Sequence, residues 1–313
     1  MKIRTILTLV TLAIVLAVIS LWMGQQAYTW FPPQASAEAQ LIDRLFSFLV
    51  TLGTFIFLGV VGALTYAILF QQVGKYDFSD GPHIEGNVPL EVIWTAIPFV
   101  LVIWIAGYSY QIYDQMSILG PMEHAHHSTA IAQQSPTLAP STDRQAQSST
   151  PLIKTPLIEV YARQWAWEFR YPEHNVTSTE LHLPSHQRVN LSLRSEDVLH
   201  GFFVPAFRVK QDVIPGRVID FSFTPIREGQ YRLRDSQYSG TYFAAMQADV
   251  VVESPEAYQQ WLANVATQPP LAASNQAFDE YHRQQNPMAS GWKTVEPAPP
   301  PIVNAPSGQA RNL

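Results

Sequence analysis

Three long stretches almost free of charge constrain this chain more than anything else in it. Residues 5–23 and 45–70 carry no charged side chain, and residues 90–113 carry one, Glu91. Each is near the ~20 residues at which a helix crosses ~30 Å of hydrocarbon. A surface helix of a soluble protein needs a polar face, and none of the three has one. The whole chain reflects this, with 47% of 313 residues apolar and only 14% charged.

The first run follows a short cationic start, Lys2 and Arg4. It is either a first transmembrane helix or a signal segment, so residues 1–37 form a unit of their own. Ala35-Ser36-Ala37 offers a small-residue cleavage site but lies far beyond the apolar run, and retention is the expected reading. Residues 41–115 are expected to be a two-helix transmembrane hairpin. Gly53, Gly59 and Gly62 give the second run small surfaces for helix contact. In the third, Trp94, Trp104, Tyr108, Tyr110 and Tyr113 suit the aromatic belts of a bilayer, and Pro98 should loosen the helix locally. The positive-inside rule, applied to Lys2 and Arg4, keeps the N-terminus in the cytoplasm. Everything after Tyr113 then lies outside, on the periplasmic or lumenal side, whether or not the first run is removed.

Residues 116–155 are rich in Ser, Thr, Pro, Gln and Ala and read as a flexible linker. His124, His126 and His127 within it have no ordered acid or thiol companion and read as part of that linker. From 156 to 264 the pattern becomes short strands with Gly and Pro punctuation, as in a β-sandwich or Greek-key barrel. Alternation puts Trp165, Trp167, Phe169 and Tyr171 on one face. Ser254 and Pro255 open a short closing helix. Residues 265–313, rich in proline and without apolar period, are expected to be disordered or to lie along a partner. A net charge of −6 without a basic stripe argues against nucleic acid. The absence of cysteine removes disulfides, zinc knuckles, thiol nucleophiles, an N-terminal lipid attachment site and any thiolate copper centre.

The segment from Gly229 to Val252 displays a turn-like loop between two β-rich runs, with Asp235, Ser239, Phe243 and Met246 spaced four, four and three apart. That is the rhythm of a metal loop closed by an upstream histidine, here His200 in Asp197-Val198-Leu199-His200. The run DVLHGFFVPAFRVKQDVIPGR, from Asp197 to Arg217, resembles the DVxHxFxVPxFxxKxDxxPGR motif of subunit II of the haem-copper respiratory oxidases. LExxWTxxP at Leu90 and QWxWxFxYP at Gln164 resemble the same family. The resemblance implies transmembrane helices followed by an external cupredoxin-like domain.

In that family a CSExCGxxHxxM loop binds a binuclear copper centre through two thiolates, two imidazoles, a thioether and a backbone carbonyl. This sequence has Asp235 and Ser239 for the cysteines and Phe243 for the second histidine, with Gln237 at the carbonyl position. Only His200 and Met246 remain as side-chain ligands, and oxygen or phenyl groups do not replace the soft donors such copper requires. The centre is therefore expected to be absent, leaving no cofactor or metal in this chain. With no copper to feed, the rings from Trp165 to Tyr171 read as core packing.

The loop itself is similar to the SYSGxxFxxM run of the quinol-oxidising bo-type branch, whereas the motif around His200 is closer to cytochrome c oxidases. That mixture resembles the alternative terminal oxidases of cyanobacteria. It implies an oxygen-reducing, proton-moving complex in which subunit I carries the haems and copper, with subunit III as a further partner and quinol or a soluble carrier as donor. Glu91 then corresponds to an acid at the cytoplasmic mouth of a proton pathway; read by itself, it is an acid complementing a helix dipole. Two alternatives stay open. One is a cytochrome c oxidase subunit II fed by a route without this centre. The other is a non-catalytic, membrane-tethered cupredoxin-like assembly module, whose His200 and Met246 would hold a single copper weakly.

Overall fold

The computed structural model describes residues 3–72, 76, 86–116, 156–284 and 294–307. Of the linker expected from 116 to 155, Met116 ends the third helix and the rest, with His124, His126 and His127, lies outside them, as do Lys2 and most of the loop before the third span. The chain divides into two compact units, Met1–Met116 with Phe203–Lys210, and Ser117–Phe202 with Gln211–Leu313.

The first unit is built on three helices long and apolar enough to cross a membrane: α1 (Ile3–Gln26), α2 (Ala37–Phe70) and α3 (Val88–Met116). α2 begins well before its apolar run because Ser36 caps it, the hydroxyl accepting from Ala39 N at 3.0 Å. Glu38 in the first turn adds a favourable charge–dipole interaction. α1 meets α2 through small side chains, as contact without a hydrophobic driving force demands. Ser47 Oγ donates to the Gly24 carbonyl at 2.7 Å, and a Cβ at Gly24 would lie 1.9 Å from Thr51 Oγ1. Phe48 packs edge-on to Trp104 and Tyr108 at 5.1 and 4.9 Å, joining α2 to α3. Pro98 lies inside an unbroken α3.

The segment Phe203–Lys210 belongs to this unit through a buried ion pair. Arg208 Nε and Nη2 donate to the two Asp43 carboxylate oxygens at 2.9 and 3.0 Å, with side-chain exposures of 7% and 1%. The remaining Arg208 donors reach the carbonyls of Pro205 and Pro32.

The second unit is an all-β sandwich followed by two short helices. β1 (Leu157–Arg163), β2 (Ala166–Tyr171), β3 (Val176–Ser178), β5 (Val189–Ser195) and β8 (Val218–Phe223) form one five-stranded sheet in the order β3-β2-β1-β5-β8. β4 (Leu181–Pro184), β6 (His200–Val204), β7 (Val209–Val213), β9 (Gly229–Asp235) and β10 (Gln247–Glu253) form the other, β4-β10-β9-β6-β7. β1 runs parallel to β5 and β10 parallel to β4, so the strand order is not that of simple hairpins. Alternate residues of β1 and β10 are buried, the period-2 signature of a half-covered sheet. Phe202 bridges the two sheets, edge-on to Trp167 at 6.1 Å and Phe221 at 6.0 Å. Trp165, Trp167, Phe169 and Tyr171 are all buried, as expected of rings on one face. Glu168 between them is buried too, held by Arg163 at 2.9 Å and Arg170 at 2.7 Å.

Ser254 caps α4 (Pro255–Val265), its hydroxyl accepting from Ala257 N at 3.2 Å. The expected disorder after residue 265 does not hold for the described part of the tail. β11 (Leu271–Ala272) pairs with β12 (Ile302–Val303), and α5 (Gln276–Gln284) lies between them in sequence. Ala305 bridges Ser178, Asn304 Oδ1 accepts from Thr177 N at 3.2 Å, and Ala298 N donates to the Gln164 carbonyl at 2.6 Å. Backbone groups and short polar side chains hold the tail to the sandwich, and neither leaves an apolar period in the sequence.

Candidate functional site

β6 opens on His200 and β9 closes on Asp235, so neighbouring strands bring the two side chains together at one end of the second sheet. Both side chains are 0% exposed. His200 Nδ1 lies 2.8 Å from Asp235 Oδ2, and His200 Nε2 lies 2.9 Å from Asp197 Oδ1. Both ring nitrogens thus face carboxylate oxygens. A neutral imidazole would point a lone pair at one of them, whereas an imidazolium satisfies both. Burial pulls the His200 pKa down, but the hydrogen bonds and charges of Asp197 and Asp235 outweigh it and raise the pKa above its ordinary value. Burial likewise raises the Asp197 pKa, and donors from His200, Gln164 N and Val198 N outweigh it to give a lowered value.

Around this ion cluster the loop is closed by further donors. Ser239 Oγ donates to Asp235 Oδ2 at 2.8 Å, and Gly201 N and Gln237 N donate to Asp235 Oδ1 at 2.7 and 3.1 Å. The Gln237 side chain turns away to Asp212 Oδ1 at 2.8 Å. The Ser239 carbonyl accepts from Gln164 Nε2 at 2.6 Å and Trp165 Nε1 at 3.1 Å. Gly240, at φ +118°, packs against Trp165, where a Cβ would lie 2.7 Å from the ring. No other residue meets both conditions.

Of the residues singled out from sequence, His200, Asp235 and Ser239 converge, and Gln237 joins through its backbone. Met246 is buried beside them, its carbonyl accepting from Asp235 N at 3.1 Å and Trp167 Nε1 at 3.3 Å. Phe243 does not converge: its ring packs edge-on to Tyr238 at 5.2 Å, and Tyr238 is 77% exposed. The residue sequence reasoning undervalued is Asp197, quoted as part of a motif but given no task. Its spacing, three before His200, was the available signal.

This donor set does not fit a copper pair. The two nitrogens of His200 are occupied from opposite edges of the ring, so Asp197 and Asp235 cannot converge with it on a common point. The Ser239 hydroxyl is spent on Asp235, and no sulfur other than thioether exists in the chain. Among the described residues no group of three or more His, Cys, Asp or Glu side chains is arranged to hold a metal ion.

Glu91 lies in the other unit, in the first turn of α3, half-buried beside an open apolar groove lined by Val88, Val92, Thr95, Ala96 and Phe99. Its backbone N–H donates to the Asn87 carbonyl at 2.9 Å, and Thr95 Oγ1 donates to its carbonyl at 2.9 Å.

Residues 20–112 match the model of the cytochrome c oxidase subunit II transmembrane domain, and residues 176–254 that of its periplasmic domain. The chain is 36% identical over 288 residues to cytochrome c oxidase subunit 2 of Synechocystis sp., covering 86% of this chain and 85% of that protein. It is 36% identical over 272 residues to the same subunit of Thermostichus vulcanus, covering 80% and 83%. It is also similar to quinol oxidase subunit 2 of Bacillus subtilis, 26% identical over 262 residues and covering 81% and 70%.

Proposed function

The chain belongs to the cytochrome c oxidase subunit II family, a multi-pass membrane subunit of a haem-copper terminal oxidase with its β domain on the periplasmic side, and on that premise we propose that it works without the binuclear copper centre, in an enzyme whose donor is a membrane quinol. The observation that carries the reading is the saturation of His200 by two carboxylates, together with the absence of any cysteine. Copper of the shared-thiolate kind has neither its bridging atoms nor its imidazole lone pairs here. Electrons then enter the complex elsewhere, at centres carried by subunit I. The relative in Bacillus subtilis, named a quinol oxidase subunit, supports a quinol as donor. The β domain serves as an external cover of the complex, with subunits I and III as partners. Glu91, at the first turn of α3, takes up protons from the cytoplasmic side; a half-buried carboxylate at a span's end can exchange protons between bulk water and buried polar groups.

A second reading draws on the two cyanobacterial relatives, both named cytochrome c oxidase subunits. In it a soluble carrier passes electrons straight to subunit I. Oxygen uptake by the purified complex separates the two: the proposal expects turnover with quinol and none with reduced cytochrome c, and the reverse pattern selects the second. Copper analysis of the same preparation bears on both, because a tightly held copper pair in this chain would remove their common basis.

A further inference from the structure

We infer that Asp235 is the cross-link that closes the 235–246 loop, so that the β domain takes its folded form through hydrogen bonds between positions that a metal would otherwise tie together. The inference rests on the reading that no copper pair is held, and adds which group replaces it.

A carboxylate offers about four lone-pair sites on two oxygens, and all are used. Oδ1 accepts from Gly201 N and Gln237 N; Oδ2 accepts from His200 Nδ1 and Ser239 Oγ. The four donors come from the start of β6, the near limb of the loop and its far limb. The backbone repeats the closure: Asp235 N donates to the Met246 carbonyl at 3.1 Å, and Ser236 N to the Gly201 carbonyl at 3.0 Å. Charge-assisted bonds of this kind are roughly twice as strong as neutral ones, and a buried site increases their strength further. The side chain itself is fully shielded from water.

No near neighbour in chemistry performs the same task. Asparagine keeps the shape but has one acceptor oxygen, and its amide would point N–H groups at N–H donors. The far edge of His200 is held by Asp197, whose side chain is 30% exposed, so the cluster meets water on that side. Removing Asp235 therefore strands a buried imidazolium and three other donors at once.

The test uses full-length protein in the purified complex, with chymotrypsin cutting after Tyr238, the exposed tip of the loop. Cleavage at that bond is followed by mass spectrometry, with and without chelator, alongside copper analysis. In the native protein, cutting should be slow and indifferent to chelator. Asp235→Asn should accelerate it at least tenfold, and Ser239→Ala, which removes one donor, by a smaller factor. Asp235→Ala should resemble Asp235→Asn or fail to assemble, and Asp235→Asn with Ser239→Ala decides the matter in the latter case. Unchanged cutting in Asp235→Asn, with no copper beyond that carried by subunit I, overturns this inference alone. A copper pair whose removal loosens the loop overturns the proposed function and this inference with it.

Discussion

His200 lies between two carboxylates, and that arrangement fixes how the β domain should respond to pH. Its pKa is raised above the ordinary 6.5, so its contribution to stability is complete below 6.5 and is lost as pH rises through the folded value. The Asp197 pKa is lowered from 3.8, so its contribution is complete above 3.8 and is lost as pH falls through the folded value. Stability from the cluster is therefore greatest between 3.8 and 6.5. Thermal unfolding of the purified chain should show a Tm that falls as the buffer becomes alkaline. In His200→Gln that slope should vanish; an equal slope in the variant assigns the effect to other groups.

At the level of elements, the segment Phe203–Lys210 is tied to α2 by the Arg208–Asp43 pair and by the Ser36 hydroxyl, which donates to the Phe207 carbonyl at 2.9 Å. Buried ion pairs add little over well-packed apolar residues, but removing one partner leaves an uncompensated charge and costs about 3–5 kcal/mol. Arg208→Ala should therefore destabilise the full-length protein strongly, and combining it with Asp43→Ala should cost less than the sum of the two. Additive single effects in denaturation of the purified chain would show that the pair is not coupled. α1 and α2 illustrate a different cement, a close approach at Gly24 sealed by the Ser47 hydroxyl.

For the whole molecule, the proposed function assigns proton uptake to the helices and structural cover to the sandwich. Glu91→Ala should slow oxygen consumption of the complex while leaving assembly and haem content intact. Turnover at the native rate would return Glu91 to the part of a first-turn acid that complements the helix dipole.

The spans, the β-sandwich and the missing soft ligands were all legible in the sequence. Each rests on a property that is local or compositional: runs of apolar residues long enough for a bilayer, period-2 alternation, and an amino acid that is absent. The spacing of Asp235, Ser239, Phe243 and Met246 marked a loop, and in the fold Asp235, Ser239 and Met246 lie together while the Phe243 ring packs on exposed Tyr238. How the side chains at those positions pair was decided only by tertiary structure. Asp235 reaches His200 because β6 and β9 are neighbours in the sheet, an adjacency that no local period encodes. Arg208 finds Asp43 across 165 positions of chain, and the described part of the tail after residue 265 is held by backbone and short polar groups that look like those of a disordered segment until the strands they bond to are in place.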